Sequence, residues 1–89
     1  VHALDADSGQ QIWVFPTRSY IISSPAVVDG VVYVGSWDNN LYAIDAVSGR
    51  ELWSFTAEDH IRSSPAVIGG VVYVGSEDGN VYAIGNLSN

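Results

Sequence analysis

The chain has 89 residues, no cysteine and a formal net charge of −7, setting ten carboxylates against Arg18, Arg50 and Arg62 with no lysine. That composition excludes a disulfide framework, a thiolate metal site and the basic stripe that nucleic acid demands; no apolar run approaches the ~20 residues of a membrane span. A domain of this size buries a modest share of its surface and is marginal alone.

Residues 1–5 (VHALD) predict a short strand, and residues 6–10 (ADSGQ) a turn formed by Ser8 and Gly9. Ile12, Trp13, Val14 and Phe15 predict the next strand, closed by Pro16, which cannot donate to a ladder. Residues 17–22 are a connector. A complete unit follows: strand A over 25–28, a two-residue hairpin turn at Asp29 and Gly30 that demands positive φ, and strand B over 31–35. A polar turn over 37–40 leads to strand C over 41–45. A turn at Val47, Ser48 and Gly49 leads to strand D over 51–55. After a second connector, 56–62, come strand A (65–68), a Gly69–Gly70 turn, strand B (71–75) and strand C (81–84). No strand D is expected after residue 84.

The chain repeats itself at a spacing of 40 residues. Residues 23–45 and 63–85 agree at 17 of 23 positions, and residues 1–15 correspond to 41–55 in the same register. Short strands punctuated by turns are an all-β signature. Strand B reads VVYV without alternation, which requires both of its faces to be covered. A sandwich predicts alternation and no such copying; radially stacked propeller blades predict what is observed. The expected fold is all-β, about two four-stranded antiparallel propeller blades. It is organised as one module over residues 1–89: strands C and D of a partial blade (1–15), a complete blade (23–55) and strands A to C of an incomplete blade (63–84). Residue 1 falls inside a repeat and not in a signal peptide, so the start reads as cut, processed or adapted to self-association.

The pattern A-x-D-x-x-S-G-x-x-x-W occurs as Ala43, Asp45, Ser48, Gly49, Trp53 and again as Ala3, Asp5, Ser8, Gly9, Trp13. It closely resembles the tryptophan-docking motif of the quinoprotein-dehydrogenase-like (PQQ-type) β-propeller repeats, with serine where threonine is commoner. SSPAVVDGVVYVGS is similar to the first half of that repeat. The resemblance implies that Trp13 and Trp53 pack between blades beside Gly9 and Gly49, with Ala3 and Ala43 in the same seam. The third copy keeps Ala83, has Gly85 in the aspartate slot and lacks the tryptophan. Two rival signatures fail: Trp37–Asp38 is matched by Glu77 and not by a second WD pair, and Gly69–Gly70 is matched by Asp29–Gly30.

The resemblance also implies that some relatives hold pyrroloquinoline quinone and calcium and oxidise alcohols or sugars. Asp38, Asn39, Asn40, Asp78 and Asn80 have suitable atoms, but they recur in register at turns, where such side chains are expected for backbone reasons. The segment 5–9 starts like a calcium loop, yet its glycine comes one position early and no downstream glutamate follows. His2 and His60 occupy non-equivalent slots, and no hydrolase or zinc motif accompanies them. The reading therefore expects no catalytic residue, no metal and no cofactor. Residues 86–88 fit a glycosylation sequon, a short pattern common by chance.

Functional residues are sought where the copies differ, since shared residues serve the fold. Trp37 against Glu77, Tyr20 against His60, Ile22 against Arg62 and Arg18 against Glu58 all lie in loops expected on one face. Tyr20, Trp37, His60 and Arg62 are the candidate contacts for a protein or glycan partner, with packing on a neighbouring loop as the plainer role of Trp37. A two-blade stack exposes two apolar sheet faces, each on the order of 500 Å², whose burial is worth at most ~10 kcal/mol. The expected remedy is a homo-oligomer, ring or filament, in which Ile12, Trp13, Val14 and Phe15 of one copy complete the last blade of the next. The alternative is a longer parent chain whose neighbouring blades cover the faces, including a fragment of a quinoprotein dehydrogenase. An extracytoplasmic location follows from the resemblance alone.

Overall fold

A computed structural model of the chain describes residues 1–4, 8–17, 24–61 and 63–85. The described residues are all-β, in three antiparallel sheets. The first pairs β1 (His2–Leu4) with β2 (Gln11–Val14). The second runs β3 (Ala26–Val28), β4 (Val31–Gly35), β5 (Asn40–Asp45) and β6 (Glu51–Thr56) in chain order. The third comprises β7 (Ala66–Ile68), β8 (Val71–Gly75) and β9 (Val81–Gly85). Among the described residues the three sheets have two, four and three strands, each an antiparallel meander.

Turn chemistry sets the strand ends. Pro25 and Pro65 lack an N–H, and the ladders begin one residue later than the sequence reading places them. Asp29 and Gly30 have φ of 52° and 76°, and Gly69 and Gly70 have 57° and 80°, the doubly left-handed pair of a tight hairpin. Asn39 (φ 75°) and Gly79 (φ 91°) hold the same left-handed slot in the two β-turns after strand B, so this difference between repeats is conformationally neutral. Strand β6 extends to Thr56, which pairs with Asn40 and donates its hydroxyl to the Asn40 amide oxygen at 2.5 Å.

The core lies on both sides of the second sheet. On one side Val32, Val34, Tyr42 and Ile44 pack with Val1, Trp13, Phe15 and Ala46 of the first sheet and its docking turn. On the other, Tyr33, Leu41 and Ala43, with Trp53 and Phe55, meet Val72, Val74, Tyr82 and Ile84 of the third. The period of two along β4 and β5 sends alternate residues to opposite faces, and here both faces are covered. The second VVYV differs. In β8, Val72 and Val74 are buried, but Tyr73 is 40% exposed where Tyr33 is 3%. Val81 is 77% exposed where Leu41 is 0%. Both faces of β4 are thus covered and β8 is covered on one, because among the described residues no sheet lies against the outer face of the third sheet, as expected of the end of a short blade stack.

Candidate functional site

The joint between the first and second sheets is built from the turn after β5. The Asp45 carboxylate accepts the backbone N–H of Val47 at 2.8 Å and of Ser48 at 3.0 Å. Gly49 N donates to the Asp45 carbonyl, and Asp45 N donates to that of Arg50. These backbone donors, Ser48 first, hold the Asp45 carboxyl below its ordinary range. The closed turn places Gly49 at φ +77° directly under the Trp13 ring. A Cβ there would lie 2.6 Å from Trp13 Cγ, so both the backbone angle and the ring contact require glycine. Trp13 Nε1 donates to the Ala46 carbonyl at 2.9 Å, and Phe15 meets Tyr42 edge-on at 5.2 Å.

Gly9 adopts almost the same angle, φ +75°, yet a Cβ on it would meet nothing within 4 Å. The same turn glycine is therefore occupied at one repeat and bare at the preceding one. Trp53, half-buried, leans on Tyr33 at 6.0 Å and lines an apolar groove of 270 Å³ with Ser54, Phe55, Ile84 and Gly85. The slot matching Gly49 in the third repeat is residue 89, outside the described residues. Ala3 pairs with Trp13, and Ala43 with Trp53, across the last hairpin of each blade. The residues put forward for strand complementation divide by face: Trp13 and Phe15 point into the chain's own core, while Ile12 and Val14 are 59% and 46% exposed on the far side.

A second cluster lies in the loops between the second and third sheets. Trp37 stacks flat on His60, with centroids 4.8 Å apart and planes within 10°. His60 Nδ1 lies 3.2 Å from the Asn39 amide oxygen. Ser76 Oγ donates to the carbonyls of Asp59 and His60, and Glu77 N donates to that of His60. Two of the four loop candidates, Trp37 and His60, are thus brought together against each other, and Trp37 packs on the next connector. Tyr20 and Arg62 lie outside the described residues, as do Arg18, Ile22, Asp5 and the sequon. Sequence reasoning did not single out Asp59, which joins His60 and Glu77 in one group; the available signal was that each of the three departs from its repeat partner, Ser19, Tyr20 and Trp37.

The oxygen ligands considered for a quinone–calcium site are used locally. Asp38 accepts Asn40 N at 3.0 Å and the Tyr42 hydroxyl at 2.5 Å. Asp78 repeats both contacts with Asn80 N at 2.9 Å and Tyr82 at 2.5 Å. The Tyr82 hydroxyl foremost holds the Asp78 carboxyl low, and the same bond raises the Tyr82 phenol. Asp38 and Asp78 each brace the turn after strand B of their own sheet, and Asp78 also accepts the Glu58 backbone N–H at 3.4 Å. His2 lies in β1, its Nδ1 3.2 Å from Gln11 Oε1, whereas His60 lies in the connector between β6 and β7.

The PQQ_2 family model, described as outer membrane protein assembly factor BamB, matches residues 1–88. Among solved structures, the chain is similar to the quinohemoprotein alcohol dehydrogenase ADHIIG of Pseudomonas putida HK5, at 32% identity and a TM-score of 0.84 over 96% of this chain. It is similar to BamB of Moraxella catarrhalis at 26% identity and a TM-score of 0.79 over 91%. The computationally designed Ika4 protein shares the fold at 21% identity and a TM-score of 0.77 over 92%. The chain spans 16% of the dehydrogenase, 26% of the Moraxella protein and 52% of the designed one. No curated protein sequence matches it.

Proposed function

The chain belongs to the PQQ_2 propeller-repeat family, and from that premise we propose that it is a non-enzymatic scaffold whose outer blade faces receive further blades and whose loop face contacts a protein or glycan. One observation carries the reading: the Trp13–Gly49 joint is filled while Gly9 offers the same left-handed glycine bare. The exposed Tyr73 and Val81 supply the apolar area for such stacking. The added blades come from other copies joined head to tail, as a ring or filament, or from a longer chain. The designed propeller Ika4 is a neighbour in fold that supports the scaffold reading. The family description, an outer-membrane assembly factor, favours an extracytoplasmic location.

Hydroxyl-radical footprinting of the native protein tests this. Protection of Tyr73 to within about twofold of Tyr33 is the expected result; Tyr73 labelled about tenfold faster defeats the proposal. Sedimentation velocity on Val81→Glu separates the two sources of blades, since loss of association points to other copies.

A second reading rests on the 32% identity to the Pseudomonas dehydrogenase: the chain is part of a quinoprotein dehydrogenase. Dye-linked alcohol oxidation after adding the quinone with calcium favours it over the scaffold.

A further inference from the structure

We propose that Asp59, His60 and Glu77 bind a divalent transition-metal cation of the zinc class at the joint between the second and third sheets. Each contributes one ligand atom, and the three atoms lie within 4.8 Å of one another. One imidazole nitrogen with two carboxylate oxygens is a donor set suited to zinc and its neighbours, and a poor one for calcium, which takes six or more oxygens.

The two segments that carry the ligands are tied together without any ion. Asp59 and His60 sit in the connector leaving the second sheet, and Glu77 sits in the turn after β8. The bridge between Ile61 and Ser76, the Ser76 hydroxyl and the Glu77 N–H tie these two segments together, with Ile61 fully buried beneath. Trp37 covers one face of the His60 ring, and Asn39 Oδ1 meets its Nδ1. The same Nδ1 lies 3.9 Å from Asp59 Oδ1, which also accepts the His60 backbone N–H at 2.7 Å, so Asn39 and Asp59 both orient the ring. The second observation comes from the repeat. In the preceding copy the three positions are Ser19, Tyr20 and Trp37, so the ligands coincide with departures from the repeated pattern, while the turn residues Ser36 and Ser76 that hold the frame are shared. The sequence reading named no metal ligand because residues 59, 60 and 77 follow no motif spacing; only the inter-sheet bridge brings them together.

The site joins groups from both sides of a seam that closes on folding, so an ion held there stabilises the joint by mass action. Isothermal titration of the native protein with zinc chloride, after chelator treatment, tests the proposal. The expected result is one site per chain that His60→Ala and the near-isosteric Glu77→Gln and Asp59→Asn each weaken at least about tenfold, while His2→Ala leaves it unchanged. Zinc also raises the thermal midpoint of the wild type, on the order of 10 °C at 100-fold excess over Kd, and not that of Glu77→Gln. Circular dichroism with chelator present checks that the variants fold alike. The proposal is overturned if the wild type takes up no zinc, if Glu77→Gln and Asp59→Asn bind as the wild type does, or if His2→Ala removes the site.

Discussion

Strands β4 and β8 have one sequence, VVYVG, and two environments. Their valine rows are treated alike: Val32 and Val34 are buried against the first sheet, Val72 and Val74 against the second. Their tyrosines are not, because Tyr33 faces the third sheet and Tyr73 faces outward. The second sheet is therefore covered on both sides and the third only on the side of its predecessor. The difference between the two strands measures what a neighbouring blade contributes, with local sequence held constant.

The largest effect that sharpens this comparison is a matched truncation. Tyr33→Ala empties a covered slot and costs about 3–5 kcal/mol. Tyr73→Ala costs about 1 kcal/mol or less in the 89-residue chain alone at high dilution, where that face is open, and approaches the Tyr33→Ala loss where the proposed further blade covers it. Urea unfolding of both variants reads the contrast directly, and equal losses indicate that a further blade covers Tyr73 in the native protein. Next come the docking glycines. Gly9→Ala and Gly49→Ala share the penalty of a side chain in the left-handed region, about 1–2 kcal/mol. Gly49→Ala adds the collision with Trp13 and is the more destabilising by about 1–3 kcal/mol. Parity between the two breaks the distinction between a filled and a bare joint.

The smallest effect is the response to acid. Asp45 and Asp78 both have folded-state carboxyls lowered from 3.8. The stability each contributes is fully present above that value and is lost as pH falls through the lower folded one. Both groups lie at the surface, so the expected change is a shallow loss below pH ~4. Asp45→Asn and Asp78→Asn each flatten that limb in unfolding curves taken from pH ~6 down to ~2. A variant that leaves the limb unchanged removes its carboxylate from the account.

Much of this was legible from residue patterns. The Asp29–Gly30 and Gly69–Gly70 pairs announce tight hairpins because few other residues accept positive φ. The repeated S-x-D-x-N-x-Y segment announces a turn held by its own aspartate, and Asp38 and Asp78 bond identically within it. Other features were not legible. The register shifts opposite Ala3 and Ala43 put one extra residue, Ile12 or Leu52, into each fourth strand. Both of these residues are exposed, and periodicity alone reads them as ordinary strand positions. Trp37 and His60 lie 23 residues apart with nothing in their spacing to mark a stack.

The amino-acid order alone determined the period, the strand sequence within each blade, the hairpin turns and the family, since these rest on backbone conformation and on short-range pattern. Which tyrosine is dry, which glycine carries a tryptophan, and which carboxylates gather round His60 were decided only by one blade stacking on the next. Burial and ligand geometry depend on the partner surface, and identical segments acquire different energies when only one of them has a neighbour on both sides.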